Sequence, residues 1–234
     1  MGTQVSGGFS VYYDRNAVSA SVEQGDHRAL IGGMWDEVGE LQMSFLQSQG
    51  LRPEDVLLDI GCGSLRLGVR AVEFLETGNY WGTDLNSALL DAGYDKEIVP
   101  AGLSAKLPRA QLVVDEDFSF AGIPAAVDFA MAQSVFTHLP LNHMRLCLTN
   151  LARHVTSACT FFFTVFVPSN GASVTQSQTQ PRGGIVTHPH RDPYHYSIAD
   201  LHHAATDSGW TIDFVGDWGH PRNQMMVKAT KPQS

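Results

Sequence analysis

The sequence predicts an α/β domain with a mostly parallel sheet and helices on both of its faces. Three observations predict this fold. An apolar strand around residues 56–58 runs into a glycine turn, and a helical pattern follows it. A second short strand ends on the acidic residue Asp84. Further apolar strands then alternate with amphipathic helices, a rhythm typical of parallel β-α units.

The first half of the chain supplies the units around the glycine turn. Apolar residues at helical spacing predict an amphipathic helix over residues 37–49, and Gly50 follows it as a stop signal. The glycine turn opens a second helix over residues 64–76. A strand over residues 80–83 and a helix over residues 87–98 complete the next unit.

The second half continues the alternation and ends in an antiparallel pair. Thr137 is predicted to cap a helix, and Ser197 is predicted to cap another that reaches Ser208 and stops at Gly209. Apolar and β-branched residues indicate strands over residues 111–114, 127–132, 160–167, 211–217 and 225–231.

The glycine turn itself is the most informative stretch. Gly61 and Gly63 let the backbone turn sharply and let a ligand lie against it without a Cβ in the way. With a helix directly behind it, the turn predicts a nucleotide-binding corner. Arg66 stands where a dinucleotide fold has its third glycine, and the acidic Asp59 would repel a pyrophosphate. These departures favour a cationic ligand that lacks phosphates.

The run Asp59-Ile60-Gly61-Cys62-Gly63 resembles the first motif, acidic-x-Gly-x-Gly, of the class I S-adenosylmethionine-dependent methyltransferases. The resemblance implies a Rossmann-like, seven-stranded sheet with strand order 3-2-1-4-5-7-6 and an antiparallel last strand. It also implies that S-adenosylmethionine (SAM) is bound, as donor or as sole substrate. Asp59, Gly61, Cys62 and Gly63 are the first residues that it assigns to SAM.

Later landmarks extend the resemblance over roughly residues 50–165. Asp84 follows the glycines by about 20 residues and matches the acidic residue that binds the ribose hydroxyls, with Leu85 beside it. Asp117 and Phe118 match an acidic-aromatic pair that binds adenine. Gln133 lies at the end of the fourth strand, which faces the methyl donor in this family.

Composition limits the partners. The formal net charge is −9, with 15 Lys and Arg against 24 Asp and Glu, so the basic stripe that nucleic-acid binding needs is missing. No run is apolar enough to span a membrane, and residues 1–6 lack the pattern of a secretion signal. We therefore expect a cytoplasmic protein that acts on a small molecule. The oligomeric state stays open.

Aromatic faces near a sulfonium can hold its positive charge. Phe136 is the favoured candidate because it follows the fourth strand, with ordinary packing in the core as the alternative for any one ring. The other candidates are Tyr12, Tyr13, Trp35, Tyr194 and Tyr196. His138 follows the fourth strand and is the candidate base for a hydroxyl or protonated amine, because imidazole exchanges protons near neutral pH. His138 could instead belong to the start of the following helix.

Two segments depart from the α/β rhythm. Residues 1–36 form an N-terminal arm, and residues 168–196 form an insertion into the SAM-binding domain, which spans residues 37–234. The insertion follows the fifth strand, so we interpret it as a lid that determines specificity; a plain surface excursion is the alternative. Its three histidines, His188, His190 and His195, do not match a zinc pattern, and we expect no metal.

Three functions fit these features. The first is a SAM-dependent methyltransferase that methylates oxygen or nitrogen of a small molecule in secondary metabolism. The second is a SAM-consuming cyclase or lyase that releases methylthioadenosine and azetidine-2-carboxylate, as some enzymes on this scaffold do. The third is a non-catalytic SAM-binding protein. The residues that resemble the family speak to donor binding. Because methyl transfer is the usual chemistry of this scaffold, we predict the methyltransferase and keep the other two as alternatives.

Overall fold

The computed structural model describes residues 10–169 and 172–232. Residues 1–9, which include the six examined above for a secretion signal and the start of the predicted N-terminal arm, lie outside the described part. A seven-stranded sheet forms the centre: β1 (Leu57–Ile60), β2 (Tyr80–Asp84), β3 (Leu112–Val114), β4 (Phe129–Ala132), β5 (Cys159–Val165), β8 (Thr211–Asp217) and β9 (Met225–Lys231). Two short strands of the insertion, β6 (Gln178–Thr179) and β7 (Val186–Thr187), pair separately.

The strand order in the sheet is β3-β2-β1-β4-β5-β9-β8. Strands β1 to β5 are parallel to one another, and β9 is antiparallel to both of its neighbours. When the insertion hairpin is left out of the numbering, this order is 3-2-1-4-5-7-6. The predicted fold class is therefore confirmed, including the antiparallel last strand.

Helices cover both faces of the sheet: α1 (Arg15–Glu23), α2 (His27–Leu30), α3 (Trp35–Ser48), α4 (Arg66–Phe74), α5 (Ser87–Gly93), α6 (Leu141–His154) and α7 (Ile198–Ala205). Neighbouring side chains of β5 alternate between two cores. Phe162 packs in the core of α3 and α4, whereas Phe161 and Phe163 pack in the core of α6 and α7. Within the described residues, no helix combines the length and apolarity needed to cross a membrane.

Some helix boundaries differ from the prediction. Thr137 does not cap a helix, because α6 begins at Leu141 and the Thr137 hydroxyl donates to the Ser134 carbonyl at 2.7 Å. The helix predicted from Ser64 begins at Arg66, since Leu65 takes a left-handed conformation (φ 70°). The cap at Ser197 is confirmed: its side chain and that of Asp200 form a reciprocal capping box.

Candidate active site

A cleft of about 960 Å³ opens at the carboxyl ends of β1, β2 and β4. This is where parallel α/β sheets bind their ligands. The arm closes one side of the cleft, and the loop after β4 closes another. Most of the residues predicted to form the site line it: Asp59, Gly61, Cys62, Gly63, Asp84, Leu85, Phe118, Gln133, Tyr13 and His138.

The glycine corner leaves no room for side chains. Gly61 has φ +67°, and a Cβ added to it would lie 2.4 Å from Cγ2 of Val135. Gly63 has φ +55°, and its added Cβ would lie 2.8 Å from Cγ2 of Ile31 in the arm. Both the left-handed backbone and the close neighbours therefore require glycine. The loop after β4 and the arm thus pack directly against the turn.

Asp84 is fixed at the end of β2. Its Oδ2 accepts a hydrogen bond from the Gly63 backbone N–H at 2.9 Å, and its Oδ1 accepts one from the Asn86 backbone N–H at 2.8 Å. Burial raises the pKa of Asp84 to about 6, although these backbone donors oppose the rise. These two backbone donors orient the carboxylate in the absence of a ligand. Each oxygen keeps a second lone pair that can accept a hydrogen bond from a ligand.

Asp59 is the second buried carboxylate of the cleft, with 3% of its surface exposed. The Tyr80 hydroxyl donates to its Oδ2 at 2.8 Å. Burial raises the pKa of Asp59 to about 7, while the hydrogen bond from Tyr80 and the charge of Arg66 lower it. Asp59 and Arg66 therefore place opposite charges on one wall of the cleft.

The acidic-aromatic corner after β3 uses different carboxylates from the one predicted. Asp117 is exposed and does not line the cleft, whereas Asp115, Glu116 and Phe118 do. The Asp115 carboxylate accepts the Phe120 backbone N–H at 2.9 Å and so closes a tight turn. Phe118 has φ 56°, and its ring is buried. Asp115 and Glu116 replace Asp117 as candidates for this corner.

Arg66 was recognised in the sequence only as a missing glycine. Its Nη2 donates to Oε1 of Gln133, and its Nη1 donates to the carbonyls of Ile31 and Gly33 at 3.3 and 2.9 Å. Burial lowers the pKa of Arg66 to about 10, and the charge of Asp59 opposes that shift. A charged residue in the first turn of a helix behind a glycine corner is the signal that could have identified it.

Polar contacts also fix the end of β4. Gln133 Nε2 donates to Ser134 Oγ at 2.6 Å and to Gln224 Oε1 at 3.2 Å. The Ser134 backbone N–H donates to Thr164 Oγ1 at 2.8 Å. Ser134 has φ 65°, which is unusual for a residue other than glycine. The network holds the start of the loop that carries His138.

His138 lies at the meeting point of the arm and the insertion. Its Nδ1 is 2.7 Å from Oδ1 of Asp192, 54 residues away in the insertion. The rings of His138 and Tyr12 make an edge contact, with centroids 5.1 Å apart. Both Tyr12 and Tyr13 line the cleft. The prediction had not identified Tyr12 above other aromatics, nor Asp192 as a partner of His138.

Phe136 and Tyr196, predicted to face a sulfonium, lie outside the lining of the cleft. Phe136 is fully buried in the core of α6, and its ring lies 5.3 Å from that of Phe163. The Tyr196 hydroxyl donates to the Leu139 carbonyl, and its ring stacks on Tyr194 at 6.3 Å. Their side chains are used for packing, which corrects both assignments.

Two of the three histidines of the insertion form hydrogen bonds within it. His188 Nδ1 bonds Ser177 Oγ at 2.7 Å, and His195 Nδ1 bonds Thr187 Oγ1 at 3.0 Å. His190 is exposed. Over residues 10–169 and 172–232, no three His, Cys, Asp or Glu side chains gather in a group that could hold a metal ion.

No protein-family model matches the chain. Magnesium protoporphyrin IX methyltransferase from Synechocystis PCC 6803, with bound SAM, is 15% identical over 98% of this chain and 100% of its own, with a TM-score of 0.60. Phosphoethanolamine N-methyltransferase 2 from Haemonchus contortus, in complex with SAM, is 14% identical over 98% of this chain and 61% of its own (TM-score 0.63). A glycopeptide N-methyltransferase complexed with S-adenosylhomocysteine is 16% identical over 83% of this chain and 89% of its own (TM-score 0.57). The chain therefore has the fold of the class I S-adenosylmethionine-dependent methyltransferases.

Proposed function

We propose that this protein is a cytoplasmic, SAM-dependent methyltransferase that acts on a small molecule. The observation that carries the proposal is the position of Asp84. Its buried carboxylate ends β2, is bonded to the glycine corner through Gly63, and faces the same cleft. A carboxylate in that place suits the two hydroxyls of a ribose, and Asp59 at the end of β1 disfavours a pyrophosphate.

The lining of the cleft fits the three parts of SAM in order. Asp84 would hold the ribose, and the corner of Glu116 and Phe118 would hold the adenine. Asp59 and Arg66 would face the amino-acid end, where their opposite charges match an ammonium and a carboxylate. Two buried carboxylates close to the cleft also favour a ligand with a net positive charge.

Buried polar atoms without a partner provide an independent test of the fit. Among the described residues, three cleft-lining side chains carry such an atom: Ser10 Oγ, Gln42 Oε1 and Arg66 Nε. A buried polar atom without a partner costs about 1–3 kcal/mol. A ligand with hydroxyl, amino and carboxylate groups could satisfy such atoms, whereas an apolar ligand could not.

When bound, SAM supplies a methyl group on a positively charged sulfur. The contribution of the chain is to align donor and acceptor and to exclude water. Tyr12 and Tyr13 of the arm line the same cleft, as does His138 in the loop after β4. His138 is the proposed base for an acceptor that must lose a proton.

The test is to incubate the purified protein with SAM, first alone and then with panels of hydroxyl and amine compounds. Mass spectrometry identifies the adenosine product. S-adenosylhomocysteine that forms only with an acceptor supports the proposal. Methylthioadenosine with a cyclised amino acid, formed from SAM alone, would replace it with the cyclase. Binding without turnover in every panel would favour the non-catalytic SAM-binding protein.

A further inference from the structure

The side chain of His138 meets the carboxylate of Asp192 at the mouth of the cleft. The distance from Nδ1 to Oδ1 is 2.7 Å, with 28% of the histidine side chain and 18% of the aspartate side chain exposed. An ionised carboxylate only accepts hydrogen bonds, so Nδ1 carries the proton of the neutral imidazole. The lone pair on Nε2 is then free, and no atom of the described residues takes it.

The insertion is fastened to the loop on both sides of this histidine. The Tyr194 backbone N–H donates to the Thr137 carbonyl at 2.7 Å, one residue before His138. The Tyr196 hydroxyl donates to the Leu139 carbonyl, one residue after it. These two bonds place Asp192 at the imidazole only while the insertion lies against the loop.

The arm fixes the other side of the ring without competing for its proton. Tyr12 contacts the His138 ring by its edge, and its own hydroxyl donates to the Leu30 carbonyl at 3.1 Å. Burial, together with the charges of Asp192 and Asp84, raises the pKa of Tyr12 to about 12. Tyr12 therefore stays neutral near pH 7. Other charged groups near this cluster are Arg66 and Arg222, which act on Tyr12, and Arg191, which adjoins Asp192. The titratable side chain of His190 lies two positions before Asp192.

We propose that Asp192 is a positioning residue that holds His138 as the base for a hydroxyl acceptor, and that this base is assembled by docking of the insertion. The proposal rests on the proposed function. The lone pair of the hydroxyl oxygen forms the new O–CH₃ bond, the S–CH₃ bond breaks with its electrons going to sulfur, and the hydroxyl proton passes to Nε2 of His138. The carboxylate of Asp192 stabilises the imidazolium that results. A neutral amine would need no such base.

The first experiment needs no ligand. Long-range ¹H–¹⁵N spectra of ¹⁵N-histidine-labelled protein report which ring nitrogen carries the proton, and His138→Gln identifies the His138 signals. We expect the proton on Nδ1 in the wild type and mixed tautomers in Asp192→Asn, whose amide can donate to Nδ1. Asp192→Ala should also lose the preference, and Arg191→Gln, which alters an exposed neighbour, should keep it. A proton on Nε2 in the wild type, or the same tautomer in every variant, would overturn the role of Asp192.

The second experiment uses the acceptor panels. We expect methyl transfer to hydroxyl compounds, a loss of kcat of about a hundredfold in His138→Gln and about tenfold in Asp192→Asn, and little change in KM for SAM. The acid limb of the kcat profile should also shift in Asp192→Asn. Transfer confined to amines, or an equal loss in Arg191→Gln, contradicts the proposal. If no acceptor is methylated, the proposed function fails, while the tautomer spectra still decide whether Asp192 positions His138.

Discussion

The carboxylate of Asp84 accepts the backbone N–H of Gly63 across 2.9 Å, which joins the end of β2 to the glycine corner after β1. The two residues are 21 positions apart in the sequence, and a whole helix lies between them. One side chain thus both shapes the turn and faces the cleft. A ligand that bonds to Asp84 would therefore also bear on the geometry of the turn.

We expect Asp84→Ala to weaken SAM binding by more than tenfold. The change removes the proposed charge-assisted contact to the ribose, which would contribute about 1.5–3 kcal/mol. Isothermal titration calorimetry measures the affinity. Asp117→Ala removes an exposed carboxylate near the cleft but outside its lining, and it should bind SAM like the wild type. Unchanged affinity in Asp84→Ala would refute the ribose assignment.

A second prediction concerns Gly61. Gly61→Ala should cost more stability than Gly122→Ala, although both glycines have positive φ. A left-handed alanine costs about 1–2 kcal/mol in either place. Only at Gly61 would the new Cβ also meet Val135, since an added Cβ at Gly122 has nothing within 4 Å. Urea unfolding of both variants gives the comparison.

A second substitution, at Val135, tests whether this clash causes the loss of stability. The clash at Gly61 is with Cγ2 of Val135, so Gly61→Ala combined with Val135→Ala should recover part of the lost stability. If the loss of stability in the double variant equals the sum of the losses in the two single variants, the Val135 side chain is not what excludes a Cβ at position 61.

The fold could be predicted because its signals are local. The apolar run before Asp59, the turn at Gly61 and the capping pattern at Ser197 each lie within a few residues, and the structure has a strand, a turn and a cap there. Strand order came from the family resemblance, and it was right although the sequence identity to the solved structures is low. Local patterns therefore predicted the elements, whereas their order in the sheet needed the family resemblance.

The walls of the cleft depend on long-range contacts that no local pattern displays. The bond between His138 and Asp192 spans 54 residues, and that between Arg66 and Gln133 spans 67. Phe136 was misassigned because position after a strand does not reveal which face a ring takes; tertiary packing drew it into the core. Such residues are found only when the fold brings distant segments together.

The third prediction is that the protein without ligand becomes less stable as pH rises. Asp59 and Asp84 have an unfolded pKa near 3.8 and folded values of about 7 and about 6. The folded state therefore binds protons more tightly, and its advantage is lost as pH rises from the unfolded value through the folded values. The free energy of unfolding should fall between about pH 4 and pH 7, as measured by urea titration.

Asp59→Asn should flatten this dependence. An asparagine oxygen can still accept the Tyr80 hydroxyl, but no proton is bound or released at that position. Asp117→Asn removes an exposed carboxylate and should leave the slope as it is. A slope that is the same in the wild type and in Asp59→Asn would show that Asp59 is not the group responsible.

The last prediction concerns Glu97, whose hydrogen bonds to His27 and Arg28 hold the arm. Glu97 is buried and accepts hydrogen bonds from His27 Nε2 at 2.7 Å and from Arg28 Nε and Nη2 at 2.7 and 2.6 Å. The His27 carbonyl in turn accepts the Ser64 hydroxyl at 3.1 Å, directly behind the glycine corner. Ile31 then lies against that corner. We therefore expect these contacts of Glu97 to keep the arm against the cleft when a ligand is bound.

Glu97→Gln should therefore loosen the arm and weaken SAM binding by about tenfold, because it removes the charge that both donors share. Amide hydrogen exchange should become faster over residues 15–33 and stay unchanged in α6. Asp36→Asn is the control, because it makes the same chemical change at an exposed ion pair with Arg70. Such a pair contributes about 0–1 kcal/mol to stability, so both the exchange rates and the SAM affinity should stay near wild type. Faster exchange without weaker binding would show that the arm moves independently of the ligand. Unchanged exchange would show that Glu97 does not hold the arm.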